Sequence, residues 1–156
     1  MSADPVLVLL QQSLLALEAG QLELAVAQAR VAVGVAPGRA DTWKTLAAAA
    51  ACAGRWEDLL TAMGHAEPRF PEAAWVWSWR VLSLSALGDR TQAIQVGTAA
   101  LRKFPQDPEL WHALGLAWLA EKDAEAVRLA AAAIRKAGGS EQAAAELEHA
   151  AQKLEQ

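Results

Sequence analysis

"WHALGLAW", residues 111–118, places two tryptophans seven residues apart around a Leu-Gly pair. On a helix, Trp111, Leu114 or Gly115, and Trp118 fall on one face, while His112, Leu116 and Leu119 lie off it. The stretch therefore reads as a helix with a core face and a second, partly apolar face that needs its own cover.

Moving outward from Trp111, the same residue types return at a fixed interval. Trp43, Trp77 and Trp111 are 34 residues apart, and so are Pro37, Pro71 and Pro105. Gly20, Gly54 and Gly88 keep that spacing, as do Phe70 and Phe104. Several residue classes sharing one period predict a repeat array of about 34-residue units. Their bounds are about 6–39, 40–73, 74–107 and 108–141, all within a single domain over residues 1–156.

Each unit reads as two helices. "ELWHALGLAWLAE" exemplifies the first, which stops at the glycine slot, where a left-handed C-cap suits glycine best. "TQAIQVGTAALRKF" exemplifies the second, which stops before a proline that cannot continue a helix. Asp4-Pro5 and Asp107-Pro108 supply an N-cap followed by proline at the first helical position. After Gly138-Gly139, Ser140 opens a last helix whose Ala143, Leu147, Ala150 and Leu154 form one apolar stripe. This segment, 140–156, is expected to cap the array, with a greasy face inward and a polar one outward.

These residues resemble the tetratricopeptide repeat, whose unit is written W-x2-L-G-x2-Y, then A-x3-F, then P. "WHALGLAW" matches its first half, with Trp118 in place of the tyrosine. The second unit offers Trp43, Leu46, Ala47 and Ala50 in those slots, the third Trp77, Arg80, Val81 and Leu84, and the first, the weakest, Leu9, Gln12, Ser13 and Ala16. The phenylalanine slot departs from the pattern, holding Ala29, Met63, Gly97 and Ala131. Extra tryptophans are expected to fill the volume this leaves. Lys122 replaces the turn glycine of the fourth unit. The resemblance implies an all-α, right-handed superhelical solenoid of four antiparallel helix pairs plus the capping helix, acting as a protein-binding scaffold.

The periodic tryptophans are expected in the core. In the third unit a second stripe, Trp75, Trp79, Leu82 and Ala86, lies roughly 200° around the axis from a core stripe of Trp77, Arg80 or Val81, and Leu84. In the family that side of the first helices lines a concave groove that takes peptide segments. Carried over, the partner-binding groove comprises Lys44, Trp75, Ser78, Trp79, Leu82, His112, Leu116 and Leu119. Packing against neighbouring repeats is the competing reading of Trp75 and Trp79. The Lys/Asn/Arg clamp by which some members hold chaperone C-termini is missing, since only Lys44 fits it. Self-assembly into a homo-oligomer through the groove or the apolar ends is the alternative function.

Chemistry is poorly supplied. His65, Glu67, His112, His149 and Cys52 are the only candidates, and none has a metal-ligand or nucleophile–base spacing. No catalytic residues, metal or cofactor are expected, and the chain reads as a non-enzyme. The one cysteine, Cys52, is expected as a small buried hydrophobe, and Arg80 is expected to extend its head outward or to meet a carboxylate. A net charge of −4 with scattered Lys and Arg points away from nucleic acid. The longest apolar run, Leu46 to Ala53, is far short of the ~20 residues of a membrane span. Asp4 and Pro5 stand where a signal peptide would carry Lys or Arg, so the expected setting is cytoplasmic.

Overall fold

The 34-residue period becomes helix pairs in the computed structural model, which describes residues 4–156. Among those residues there are nine α-helices and no strand. They form two compact units, one running to Pro71 and one from Glu72 to Gln156. The sequence period passes that boundary without a break.

The first unit holds α1 (Pro5–Glu18), α2 (Leu22–Val35), α3 (Ala40–Cys52) and α4 (Trp56–Ala66). Asp4 caps α1 by accepting the Val6 amide at 2.9 Å, ahead of Pro5 at the first helical position. Small residues let α1 and α2 approach closely. Ala16, Ala25, Val26 and Ala29 are buried together with Leu46 and Ala49 of α3. Ser13, fully buried, is tolerated because its hydroxyl donates to the Ala25 carbonyl at 2.8 Å. Arg39, just before α3, ties Asp4 (2.8 Å) to Asp41 (2.7 Å) and holds the Asp4 carboxyl below the usual range.

The second unit holds α5 (Ala74–Ala86), α6 (Arg90–Leu101), α7 (Pro108–Ala120), α8 (Ala124–Lys136) and α9 (Glu141–Leu154). Asp107, Asp123 and Ser140 cap α7, α8 and α9 through their side chains, at 2.9, 3.1 and 3.1 Å. Leu147 of α9 joins Val127, Ala130, Ala131 and Ile134 of α8 in one core cluster. Here the inward stripe of α9 is rotated by one residue from the expected one. Ala144, Leu147 and Ala151 are the fully shielded positions, while Ala143, Ala150 and Leu154 sit at its margin. Arg135 pins α9 to α8 from outside, pairing with Glu141 at 2.8 Å and with Glu148 at 2.5 Å.

The helix ends explain the periodic glycines. Gly20, Gly54 and Gly88 have φ of +76°, +69° and +89°, and Lys122 takes the fourth such slot with φ +63°. In each turn the next amide bonds back across the helix end: Gln21, Arg55 and Asp89 to the carbonyls of Ala16, Ala50 and Leu84, and Asp123 to that of Trp118. The turn is kept in the fourth repeat at the cost of left-handed backbone in a lysine.

The tryptophan and proline periods also share a cause. The Trp43 indole donates to the Pro37 carbonyl at 2.8 Å, and the Trp111 indole to the Pro105 carbonyl at 2.9 Å. One side chain thus covers apolar neighbours and staples the preceding loop to its helix. Burial differs among the three, however. Trp43 is 7% exposed, whereas Trp77 and Trp111 are only partly buried, so the expectation of three core tryptophans holds strictly for one.

Other expectations change as well. No tryptophan fills the space beside Gly97. A β-carbon built there would stand 2.4 Å from Leu114 Cδ2, so Leu114 of α7 occupies it. Cys52 is exposed, because it ends α3 on the outer side of the turn at Gly54. Arg80 lays its guanidinium over the Trp77 ring, 4.7 Å from the centroid, which suits a cation–π contact.

Candidate functional site

The expected groove residues divide between the two units. Lys44 is exposed on α3, in the first unit, and the other seven lie on α5 and α7 in the second. On α5, Trp75, Trp79 and Leu82 follow each other at helical spacing and are all half-buried. Ser78, by contrast, is only 4% exposed and donates to the Trp75 carbonyl at 3.1 Å. It lies beneath the stripe, not on it. Ser83, fully buried, does the same for the Trp79 carbonyl at 2.8 Å, so two hydroxyls brace the turns that carry the indoles.

On α7 the three residues part company. Leu116 and Leu119 pack against the α8–α9 core cluster and keep only part of their surface open. His112 lines a cleft of about 490 Å³ with Pro108, Glu109, Ile134, Gly139 and Ser140, where the ends of α7, α8 and α9 meet. A smaller cleft of about 280 Å³ in the first unit lies among Arg30, Trp43, Asp58 and His65, and the Arg30–Asp58 ion pair at 3.0 Å lies on its wall. Among the described residues no three His, Cys, Asp or Glu side chains converge as a metal site. No helix among them is long and apolar enough to cross a membrane.

The pairing of helices and the left-handed turn every 34 residues recur from repeat to repeat, and the tryptophan-to-proline staple is present in the second and fourth. A model of the tetratricopeptide repeat family matches residues 74–117, the third repeat and the start of the fourth. Residues 74–117 carry the tetratricopeptide-repeat pattern. Solved structures with this fold are similar along most of the chain. A thermophilic tetratricopeptide-repeat protein of Thermus thermophilus is 19% identical, with 93% of this chain and 80% of that one covered and a TM-score of 0.78. A MamA RS-1 double mutant is 16% identical, covering 99% of this chain and 97% of that one, with a TM-score of 0.66. A tetratricopeptide-repeat protein of Parabacteroides merdae is 15% identical, with 96% and 60% covered and a TM-score of 0.65. No curated protein matches the chain.

On α5 the large apolar side chains that share one partly open face are Trp75, Trp79 and Leu82. The tryptophan-to-proline bond was the feature sequence reasoning missed. Its signal was present in the constant six-residue offset between Pro37 and Trp43 and between Pro105 and Trp111.

Proposed function

We propose that this protein is a scaffold that binds an apolar or helical segment of a partner protein, with Trp75, Trp79 and Leu82 of α5 as the contact floor. The observation carrying the reading is that stripe, three large apolar side chains left half-open on one helix face and braced from below by Ser78 and Ser83. Partner helices are read through anchors at i, i+3 or i+4, and i+7, the spacing of Trp75, Trp79 and Leu82 itself. Leu116 and Leu119 extend the apolar character on α7 of the same unit. A protein partner, not nucleic acid, accords with the net charge of −4, and a cytoplasmic setting accords with the single free thiol. Neither a cofactor nor a catalytic group has a part in this role.

Selection from a displayed library of helical peptides tests the proposal. The enriched peptides should carry apolar anchors at i, i+3 or i+4, and i+7. Trp75→Ala with Trp79→Ala should weaken them by at least about tenfold, the loss of more than 1 kcal/mol typical of anchor residues. The double variant should keep a cooperative melt. Unchanged peptide affinity would move the ligand to another face. An early melt, at a cost of about 3–5 kcal/mol per tryptophan, would show that the indoles are packing residues.

A further inference from the structure

In the first repeat, slots that later repeats keep dry lie open. Val8 and Leu15 of α1 are 37% and 63% exposed. One, two and three periods on, the Val8 slot holds Thr42, Val76 and Leu110, and the Leu15 slot holds Ala49, Ser83 and Ala117. All six are fully shielded from solvent. Beside them on α2, Leu24, Val31 and Val35 are 46%, 54% and 58% exposed. The equivalent slots of the second repeat hold Asp58, His65 and Arg69, and those of the third hold Gln92, Ala99 and Lys103. On α2 the first repeat is thus apolar where its own later copies are polar or small, and on α1 it is open where they are shielded.

The two rows form one face. Gln12 of α1 and Gln28 of α2 meet across the helix seam at 3.4 Å. Val8 and Leu15 flank Gln12 at −4 and +3, and Leu24 and Val31 flank Gln28 by the same offsets, so all four lie on the glutamine side of the pair. Charges lie on the opposite side, where Glu23 reaches Arg55 and Arg30 reaches Asp58 of the next repeat. Two 14-residue helices side by side present a face of about 20 by 20 Å. With side-chain relief that approaches the ~600 Å² per partner at which specific interfaces begin.

We propose that this face is covered by the same face of a second copy, giving a closed two-fold dimer in which Gln12 meets its counterpart near the axis. Three observations choose this occupant. Uncharged, the surface can meet itself without like-charge repulsion in a chain of net charge −4. Each half repeats the pattern of an apolar pair around a glutamine, which makes it self-complementary, as an isologous contact requires. Head-to-tail stacking is disfavoured because α9 turns Gln142, Glu146, His149 and Lys153 to solvent. The inference does not rest on the Trp75–Trp79 surface.

Sedimentation velocity at about 1–100 µM protein tests it. The wild type should run at twice the 16.5 kDa of the chain. Leu15→Glu with Val31→Glu should raise the dimer dissociation constant at least about 100-fold, since both charges would be buried, while the helical circular dichroism stays the same. Both positions are exposed in the single chain, so the fold tolerates them. Gln12→Cys in a Cys52→Ser background should give a disulfide-linked dimer on air oxidation. Trp75→Ala with Trp79→Ala should leave the mass unchanged. A wild type that stays monomeric overturns the proposal. So does a glutamate variant that dimerises like the wild type, a mass that grows past two copies, or a dimer lost with the tryptophans.

Discussion

Replacing Gly97 by alanine has opposite expected signs depending on whether the helix or its packing decides. In an open helix interior, Gly→Ala stabilises by about 0.5–1 kcal/mol, because the unfolded chain loses freedom. Gly64 of α4 is such a site, since a β-carbon placed there has nothing within 4 Å of it. At Gly97 of α6 the same carbon would meet Leu114 Cδ2, Cγ and Cδ1 at 2.4, 2.7 and 3.1 Å. Leu114 is fully buried, so its whole side chain must move into packed surroundings. Overpacking of that kind costs about 1–3 kcal/mol. Set against the helix gain, Gly97→Ala should destabilise by about 0.5–2 kcal/mol while Gly64→Ala stabilises. At ~2–4 °C per kcal/mol the two melting temperatures should separate by several degrees. Leu114→Val should harm the Gly97→Ala background less than the wild type, because it removes the group in conflict. A Gly97→Ala protein that melts with or above Gly64→Ala would refute the close α6–α7 packing.

Three further outcomes follow from the turns and the cap. Lys122→Gly should raise stability by about 0.5–1 kcal/mol, since glycine relieves a left-handed lysine but loosens the unfolded chain; urea titration reads it. Ending the chain at Gly139 should lower the melting temperature and promote aggregation, because α9 covers Val127, Ala130, Ala131 and Ile134; light scattering during the melt checks this. Arg135 holds the Glu141 and Glu148 carboxyls below their ordinary range, so their contribution is present above that range and fades as pH falls through the lowered values. The drop in melting temperature between about pH 6 and pH 3 should therefore be smaller in Arg135→Gln than in the wild type.

The sequence revealed what repeats and concealed what is particular to one repeat. The turn at Lys122 was legible because the three glycines before it set the slot, and the backbone follows the slot even with a lysine in it. The α9 cap was legible from Ser140 and its apolar stripe, although a one-residue rotation lay below what spacing resolves. Tertiary choices were not legible. Gly97 showed that volume was missing, but only the α6–α7 approach shows that Leu114 takes it. Cys52 reads as a small hydrophobe in an alanine run, yet the helix end turns it outward. The groove was least legible, because residues sharing a motif slot meet different neighbours. Ser78 sits under its helix, Leu116 and Leu119 lean on the cap, and His112 faces a separate cleft. Of the expected eight, Trp75, Trp79 and Leu82 keep a shared open stripe.

The seven indole N–H groups make the central claim directly measurable. A ¹⁵N–¹H spectrum of the assigned indoles, recorded while a selected helical peptide is titrated in, reports each tryptophan separately. Trp75 and Trp79 should shift with peptide, while Trp43 and Trp111, bonded to the Pro37 and Pro105 carbonyls, should stay in place. A titration in which Trp43 or Trp111 moves and the α5 pair remains still would contradict the assignment of the binding surface.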